Sequence, residues 1–130
     1  MTRPSAHCLH VSYTLTRACL LPIADAVQML ALPGKMVTDH FETASTPMLE
    51  FWIRGQSVSL GGLCYALTLL PTEIAVKIAL ASNVLIGFLY PYNAKFGYLT
   101  GSGFPAVKYP MHYVPEILMA GLTLAGALAL

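Results

Sequence analysis

Apolar residues along this chain gather into four long segments, which are separated by a polar stretch and by an aromatic, glycine-rich stretch. A helix needs about 20 consecutive and mostly apolar residues to cross a bilayer, and each segment is close to that length. We therefore predict an all-α fold, with one integral membrane domain (residues 1–130) built as a bundle of four transmembrane helices. The predicted helices cover residues 9–32, 47–70, 73–90 and 112–130, and the two long loops cover residues 33–46 and 91–111.

Capping residues indicate the ends of the second and third predicted helices. Thr46 is a typical N-cap and Pro47 suits the first turn of the second helix, which Pro71 is expected to close. Pro91 is expected to close the third helix in the same way. Because the connection at Pro71 is so short, these two helices must be antiparallel neighbours.

The first segment is interrupted by polar residues and by a proline. A tilted or kinked helix inside a bundle tolerates such residues, and so does a helix that lies in the membrane interface. We favour a span, which gives four spans with both termini on one membrane face. An interfacial helix would leave three spans, with the termini on opposite faces. The interrupting residues are Arg17, Pro22, Asp25 and Gln28.

The two long loops share the other membrane face. The first is polar and is expected to hold a short surface helix around Val37 to Phe41, whereas the second is rich in Gly, Pro and Tyr. Tyr is enriched at the headgroup level, so the second loop is predicted to be ordered and interfacial. Lysines flank the spans on this face and Arg3 flanks them on the other, so the positive-inside rule places the loops on the cytoplasmic, matrix or stromal side. These lysines are Lys35, Lys95 and Lys108.

Composition supports the membrane class and excludes several others. The chain is 56% hydrophobic and 10% charged, with a mean hydropathy of +0.65, whereas a soluble domain carries about 25% charged residues. A net charge of +1 without a basic cluster excludes a nucleic-acid partner. Three widely spaced cysteines indicate neither a disulfide framework nor a zinc site. Residues 1–19 have the Arg, Ser and Thr content of an organellar transit peptide, although we expect them to be retained.

Four charged residues are predicted to lie in the loop-face half of the bundle. A charge near the bilayer centre costs about 2.5 to 3.5 kcal/mol on insertion scales, so it must be paired or must reach the headgroups. Arg54 and Asp25 lie at similar depth, which favours a clasp between the first two helices over a pair between Arg54 and Glu50 on one helix. The alternative is a proton or quinone site in which Asp25 or Glu116 titrates. The predicted structural polar cluster is Asp25, Glu50, Arg54 and Glu116.

Small residues recur at four-residue spacing on the third and fourth predicted helices, and glycines follow the arginine on the second. Such residues let helix backbones approach closely in a membrane, where the hydrophobic effect does not drive association. They are also common in membrane helices of any kind, and that interpretation stays open. The predicted helix-packing residues are Gly61, Gly62, Ala75, Ala79, Gly87, Gly121 and Ala125.

No cofactor is required by the sequence. None of the four histidines lies in the middle of a span, which disfavours a haem held by two facing histidines. A bound lipid, chlorophyll or carotenoid stays open, because one polar side chain beside an apolar groove would suffice; each such side chain can equally form a hydrogen bond between helices. No metal-ligand spacing and no nucleophile with a base indicates an enzyme, so we predict a non-catalytic protein. The candidate pigment or lipid ligands are His112, Asn83 and Gln56.

Several short motifs resemble the DoxX-like group of small four-helix membrane proteins. They are the "LPGK" that ends the first segment, the short acidic loop that ends in Phe41, and "FWIRGQSVSLGG", which opens the second helix. In that group an arginine followed by small residues occupies the start of the second helix. The resemblance implies a four-helix bundle and an association with redox membrane assemblies, although the long second loop departs from the group's compact pattern. The matching residues here are Arg54, Gly55, Gly61 and Gly62.

Together these features predict a non-catalytic accessory or structural subunit of a multi-subunit, energy-transducing complex, photosynthetic or respiratory, in a thylakoid or mitochondrial inner membrane. Its partners would be other membrane subunits and the lipid bilayer, and it would stabilise assembly through helix packing and the aromatic loop. One alternative is a DoxX-like redox or quinone-interacting protein that uses Asp25, Arg54 and Glu116. The other is a pigment- or lipid-binding peripheral subunit of a photosystem.

Overall fold

The computed structural model describes residues 22–130, and every regular element in this part of the chain is a helix. The predicted all-α fold is therefore confirmed for these residues. Residues 9–21 of the first predicted span lie outside the described residues, as does the stretch that resembles a transit peptide. The elements are α1 (22–31), α2 (Pro33–His40), α3 (Pro47–Thr68), α4 (Thr72–Gly87), a π-helical turn (Phe88–Tyr92), α5 (Asn93–Phe96) and α6 (Tyr113–Leu128).

Helices α2 and α3 each begin at a proline, whose fixed backbone angle suits the first turn of a helix. Pro33 opens α2, so the surface helix begins earlier than the sequence predicts. Pro47 opens α3, as predicted, and the Thr46 hydroxyl caps it by accepting a hydrogen bond from the Leu49 N–H at 3.3 Å. Helix α3 then runs to Thr68.

Pro91 does not end the third predicted helix, and the expectation that it would is wrong. It lies inside the π-helical turn, so helical backbone continues from Thr72 to Phe96, a run of 25 residues. Proline has no N–H to donate, and a π-helical turn changes the hydrogen-bond register at the point where that donor is lacking. The run ends at Gly97, whose φ of 66° is the left-handed conformation that glycine adopts freely.

Among residues 22–130, one helix is long and apolar enough to cross a membrane: the run Thr72–Phe96, with mean hydropathy 1.7. Only 22% of its most apolar stretch is buried inside the chain, whereas the central helix of a soluble domain is buried all round. Helix α3 has 22 residues, but Arg54 and Gln56 make it less apolar. Helix α6 is apolar but has 16 residues, about 24 Å against a hydrocarbon core of about 30 Å.

Helix α4 packs most closely against α6, through glycines that let the two backbones approach. A Cβ atom placed on Gly87 would lie 3.3 Å from Met119 Cβ, and one placed on Gly126 would lie 3.3 Å from Leu80 Cβ. On α6 the contact is therefore made by Gly126, whereas the neighbouring Ala125, which the four-residue spacing predicts, is exposed.

Another face of α4 packs against α3. Ala75 is fully buried there beside Cys64 and Leu67, and Ala79 packs against the same group. Residues four apart on a helix drift by about 40° per step. The predicted stripe of small residues on α4 thus turns from α3 at Ala75 to α6 at Gly87.

The remaining predicted packing glycines lie on open surfaces of α3 and α6. A Cβ atom placed on Gly61, Gly62 or Gly121 would meet no neighbouring atom of the described chain within 4 Å. Their role in helix packing therefore stays a prediction.

Backbone contacts tie the second loop to the end of α2. Phe41 pairs with Val107 in an isolated antiparallel bridge, and the Lys108 N–H donates to the His40 carbonyl at 2.8 Å. The bridge brings the end of α2 beside the start of α6, and the candidate site lies between them.

Candidate functional site

His112 lies at the start of α6 with its side chain fully buried. Its Nε2 atom is 3.3 Å from the carbonyl oxygen of Pro91 in the π-helical turn. A carbonyl oxygen only accepts, so this contact requires the tautomer in which Nε2 carries the proton and donates it. The Nδ1 atom is then an acceptor, and it is buried without a hydrogen-bond partner.

Four aromatic rings surround His112, and with it they form what we call the His112 cluster: His112, His40, Phe41, Tyr90 and Tyr109. Their ring centroids lie 5.5 to 6.2 Å from that of His112, all in edge-to-face arrangements. Such contacts stabilise a fold beyond the apolar area that they bury. The rings come from the end of α2, the π-helical turn and the second loop, so the cluster joins three separate parts of the chain.

His40 enters the cluster from the last turn of α2 and is only 5% exposed. Its Nδ1 atom, like that of His112, is buried without a hydrogen-bond partner. Burial lowers the pKa of His40, the nearby His112 lowers it further, and Asp39 opposes the shift. His40 is therefore held in its neutral form at neutral pH.

A buried carboxylate lies one turn along α6 from His112. Glu116 Oε2 accepts from Lys95 Nζ at 2.9 Å, and Oε1 accepts from the Tyr109 hydroxyl at 2.8 Å. His112 Nε2 is 4.0 Å from Oε1, which is too far for a hydrogen bond. Both carboxylate oxygens are thus engaged, and their charge is balanced by a lysine of the same chain.

The arrangement offers proton acceptors, although burial opposes a charge on His40. Two imidazoles present unpartnered Nδ1 atoms beside a carboxylate that already has two partners. Within residues 22–130, no group of three or more His, Cys, Asp or Glu side chains is placed to hold a metal ion. The cluster also fixes the end of α2, the π-helical turn and the start of α6 relative to one another.

The predicted polar cluster is divided between two places. Arg54 Nη2 lies 3.6 Å from Glu50 Oε2, one turn away on α3, and Glu50 also accepts from the Ser45 hydroxyl at 3.1 Å. Glu116 lies instead with Lys95. Depth along the membrane normal, which the sequence indicates, does not determine which helices are neighbours, and the division follows from the packing of α6 beside α4.

A serine joins α1 to α3 where the sequence predicts a clasp between Arg54 and Asp25. The Ser57 hydroxyl donates to the Ala26 carbonyl at 2.6 Å, and both residues are buried. Asp25 lies half-buried on α1, while Arg54 pairs with Glu50 on its own helix.

The three predicted ligand candidates lie in different environments. His112 has no exposed surface, so a pigment could reach its Nδ1 atom only if the cluster opened. Asn83 is half-buried on α4, and Gln56 is exposed on α3.

His40, Lys95 and Tyr109 belong to the site, although the hydropathy pattern does not reveal them. Lys95 counts in the sequence only as a loop-face lysine, yet its Nζ atom lies 5.6 Å from the centroid of the Tyr109 ring and 6.0 Å from that of Tyr113. The one available signal is a pair of opposite charges, Lys95 and Glu116, at the two ends of an aromatic loop.

Comparison with protein-family models, with curated proteins and with solved structures finds no match for this chain. The resemblance to the DoxX-like group stays a prediction.

Proposed function

We propose that this chain is a non-catalytic accessory subunit of a multi-subunit, energy-transducing organelle membrane complex, photosynthetic or respiratory, and that it stabilises assembly. The observation that carries the proposal is an outward face of α3 that suits neither water nor lipid alone. On this proposal its partners are other membrane subunits and the lipids of the bilayer.

The outward face of α3 combines large apolar side chains with polar ones. Phe51, Trp52 and Tyr65 are each 65% to 67% exposed, and a large apolar surface of this kind is unfavourable in water. The same helix exposes Gln56 and about half of the Arg54 side chain, which are costly against lipid. A neighbouring protein helix satisfies both requirements, because it supplies apolar contact together with hydrogen-bond partners.

Small residues run along the same helix and would let a partner helix come close. We call them the open α3 face: Gly55, Ser59, Gly62 and Ala66. Their spacing of four, three and four residues places them on one side of the helix, and all four are exposed. A Cβ atom placed on Gly55 or Gly62 would meet no neighbouring atom within 4 Å. The Ser59 hydroxyl donates to the Gly55 carbonyl at 3.1 Å, so this face presents no unsatisfied hydroxyl.

The membrane architecture that we propose is the predicted bundle of four spans. The run Thr72–Phe96 is one span, and the others are α3, α6 and the helix that includes α1. A bilayer thins locally around a short helix such as α6 at a modest free-energy cost per Å of mismatch, and its Leu124 and Leu128 side chains point outward. The long loops then lie on the stromal or matrix side of a thylakoid or mitochondrial inner membrane, as the lysine count predicts.

The second loop provides another contact surface in this proposal. Tyr98 stacks on Phe88 with ring centroids 4.7 Å apart, and its hydroxyl donates to the Phe88 carbonyl oxygen. The loop therefore folds back along the end of the span and leaves Phe96 and Leu99 exposed there. Aromatic side chains at this level anchor proteins to lipid headgroups and to neighbouring subunits.

Migration of gently solubilised membranes on native gels tests the proposal. We expect the protein to co-migrate with larger partners, and Gly62→Leu to release it, because the added side chain blocks close approach of the partner helix. Gly121→Leu is the matched control, since Gly121 is equally open but lies on α6. A stable monomer in wild-type membranes contradicts the proposal.

A redox or quinone-interacting role is the second candidate, and one observation favours it. Glu116 and the two histidines are buried hydrogen-bonding side chains beside apolar helices, with Tyr109 at their exposed edge, and small-molecule sites also combine apolar walls with a few polar groups. Glu116→Gln separates the two roles: loss of a redox activity with intact assembly supports the quinone role, whereas loss of assembly supports the accessory role. An absorption spectrum of the purified protein tests the pigment alternative.

A further inference from the structure

Two neighbouring histidines in the His112 cluster have buried Nδ1 atoms without hydrogen-bond partners. The ring centroids of His40 and His112 are 6.0 Å apart. Buried polar atoms are nearly always hydrogen-bonded, so two unpartnered ones in a single cluster call for an explanation. At position 112 the hydrogen bond from Nε2 to the Pro91 carbonyl accounts for a histidine, whereas at position 40 phenylalanine would fill the space without burying a polar atom.

We propose that His40 and His112 form an acid-sensitive latch, which holds the end of α2 against the second loop at neutral pH and releases it on acidification. The latch concerns contacts within this chain and does not depend on the subunit role proposed above.

The closed latch is made of hydrogen bonds that flank the His40 side chain. The Lys108 N–H donates to the His40 carbonyl at 2.8 Å, and the Glu42 N–H donates to the Ala106 carbonyl at 2.9 Å. The Lys108 ammonium group donates to the Thr38 carbonyl at 3.0 Å. These bonds lie on both sides of His40, so they depend on the His40 ring remaining inside the cluster.

Protonation makes the closed arrangement unfavourable. A charged His40 ring inside the cluster would be poorly hydrated, because its side chain is only 5% exposed and the His112 ring lies 6.0 Å away between centroids. Burial lowers the pKa of His40, and the nearby His112 lowers it further. Both influences oppose a charge on His40 in the closed arrangement. His40 lies at the end of a surface helix, so release of α2 carries the charged ring into water.

The carboxylates near the pair offset a charge on His40 only in part. Asp39 is bonded to Lys35 at 2.7 Å, and both oxygens of Glu116 are engaged. The titratable or charged groups around the pair are Asp25 on α1, whose charge acts on Tyr90, Asp39 on α2, Tyr90 in the π-helical turn, Lys108 and Tyr109 in the second loop, Lys95 on α5, and Glu116 on α6.

Release of α2 leaves His112 in place. Its Nε2 atom still donates to the Pro91 carbonyl at 3.3 Å, a contact that does not involve α2. The latch therefore has two arrangements: a neutral one in which the two histidines pack together, and an acidic one in which the charged His40 ring lies in water.

Hydrogen exchange of the full chain in lipid nanodiscs tests the latch, with protection factors measured from about pH 7 to about pH 5, the range in which histidine titrates. We expect the protection of the Glu42 and Lys108 amides to fall about tenfold or more, while amides in the middle of α4 keep theirs. His40→Phe should retain the protection at low pH, because the ring cannot take a proton.

Two outcomes overturn the proposal. One is a wild-type protein whose amide protection does not change with pH, and the other is a His40→Phe variant whose protection falls on acidification as much as that of the wild type. If the Glu42 and Lys108 amides of His40→Phe are unprotected even at neutral pH, His40→Gln takes its place, since glutamine is also unable to carry the charge. A His40→Gln variant that loses as much protection on acidification as the wild type contradicts the latch in the same way.

Discussion

The side chain of His112 donates from Nε2 to the carbonyl oxygen of Pro91 across 3.3 Å, and so joins the first turn of α6 to the π-helical turn. A π-helical turn shifts the hydrogen-bond register of its helix, and a side chain that binds one of its carbonyls fixes where the shift occurs. At the other end of the same two helices, Gly126 packs against Leu80. The helical run Thr72–Phe96 and α6 are therefore held together at two separate points.

Removal of the His112 ring should destabilise the fold. His112→Ala empties a fully buried site and removes the hydrogen bond to Pro91, which together should lower the free energy of unfolding by about 2 to 4 kcal/mol. Thermal unfolding in detergent, followed by circular dichroism, measures the effect. Tyr113→Ala alters the next residue, which is 48% exposed, and should have a much smaller effect; equal effects would contradict a central role for His112.

The close approach of α4 and α6 should not tolerate a larger residue at Gly126. A Cβ atom there would already lie 3.3 Å from two atoms of Leu80, so Gly126→Leu should destabilise the protein by about 1 to 3 kcal/mol through overpacking. Gly121→Leu on the same helix meets open space, and it should be neutral or stabilising by up to about 1 kcal/mol, because leucine favours a helix. The same unfolding measurement compares the two variants. A Gly121→Leu variant less stable than Gly126→Leu would show that α4 and α6 do not make their close contact at Gly126.

The contact between α1 and α3 should depend on one hydroxyl. Ser57→Ala removes the buried bond to the Ala26 carbonyl and should lower the free energy of unfolding by about 1 kcal/mol. Ser59 bonds within its own helix and is exposed, so Ser59→Ala should change the stability little. Denaturant titration measures the free energy of unfolding of both variants. A Ser57→Ala variant as stable as the wild type would show that the hydroxyl does not stabilise the contact.

Acid should weaken the folded state through His40. Its pKa in the folded protein lies below the ordinary value of 6.5, so the unfolded chain takes up the proton more readily. The contribution of neutral His40 is therefore fully present above pH 6.5 and is lost as the pH falls toward the lowered pKa. We expect the free energy of unfolding to decline on acidification through this range, and His40→Phe to remove that part of the decline. If the free energy of unfolding of His40→Phe falls with pH as steeply as that of the wild type, the decline is due to another group.

Local features of the sequence predict local features of the fold. The start of α3 follows from Thr46 and Pro47, because a capping hydroxyl and a fixed backbone angle act on the turn in which they occur. The predicted end at Pro91 is wrong for the complementary reason. That proline is accommodated in a π-helical turn whose carbonyl is bound by His112, a residue from a different helix, and no local pattern contains that contact.

The sequence predicts how far along its helix each residue of the candidate site lies, but not which residues lie beside it. Counting residues along a helix places Glu116 near the loop face. Its actual partners are Lys95 on α5 and Tyr109 in the second loop, and the hydropathy pattern does not determine the course of the chain between these two residues. The same holds for the small residues on α6. A contact at Gly126 and an exposed surface at Ala125 differ by one position, about 100° around the helix, and only the packed structure distinguishes them.

Photo-crosslinking from residue 59 in native membranes tests the central claim most directly, because Ser59 lies in the middle of the open α3 face. A photoreactive amino acid at this position should give an adduct with another membrane polypeptide, and the same probe at Lys77, which is exposed on α4, should give none. Adducts with lipid alone from residue 59 would contradict the account, since they would show that no partner helix packs against α3.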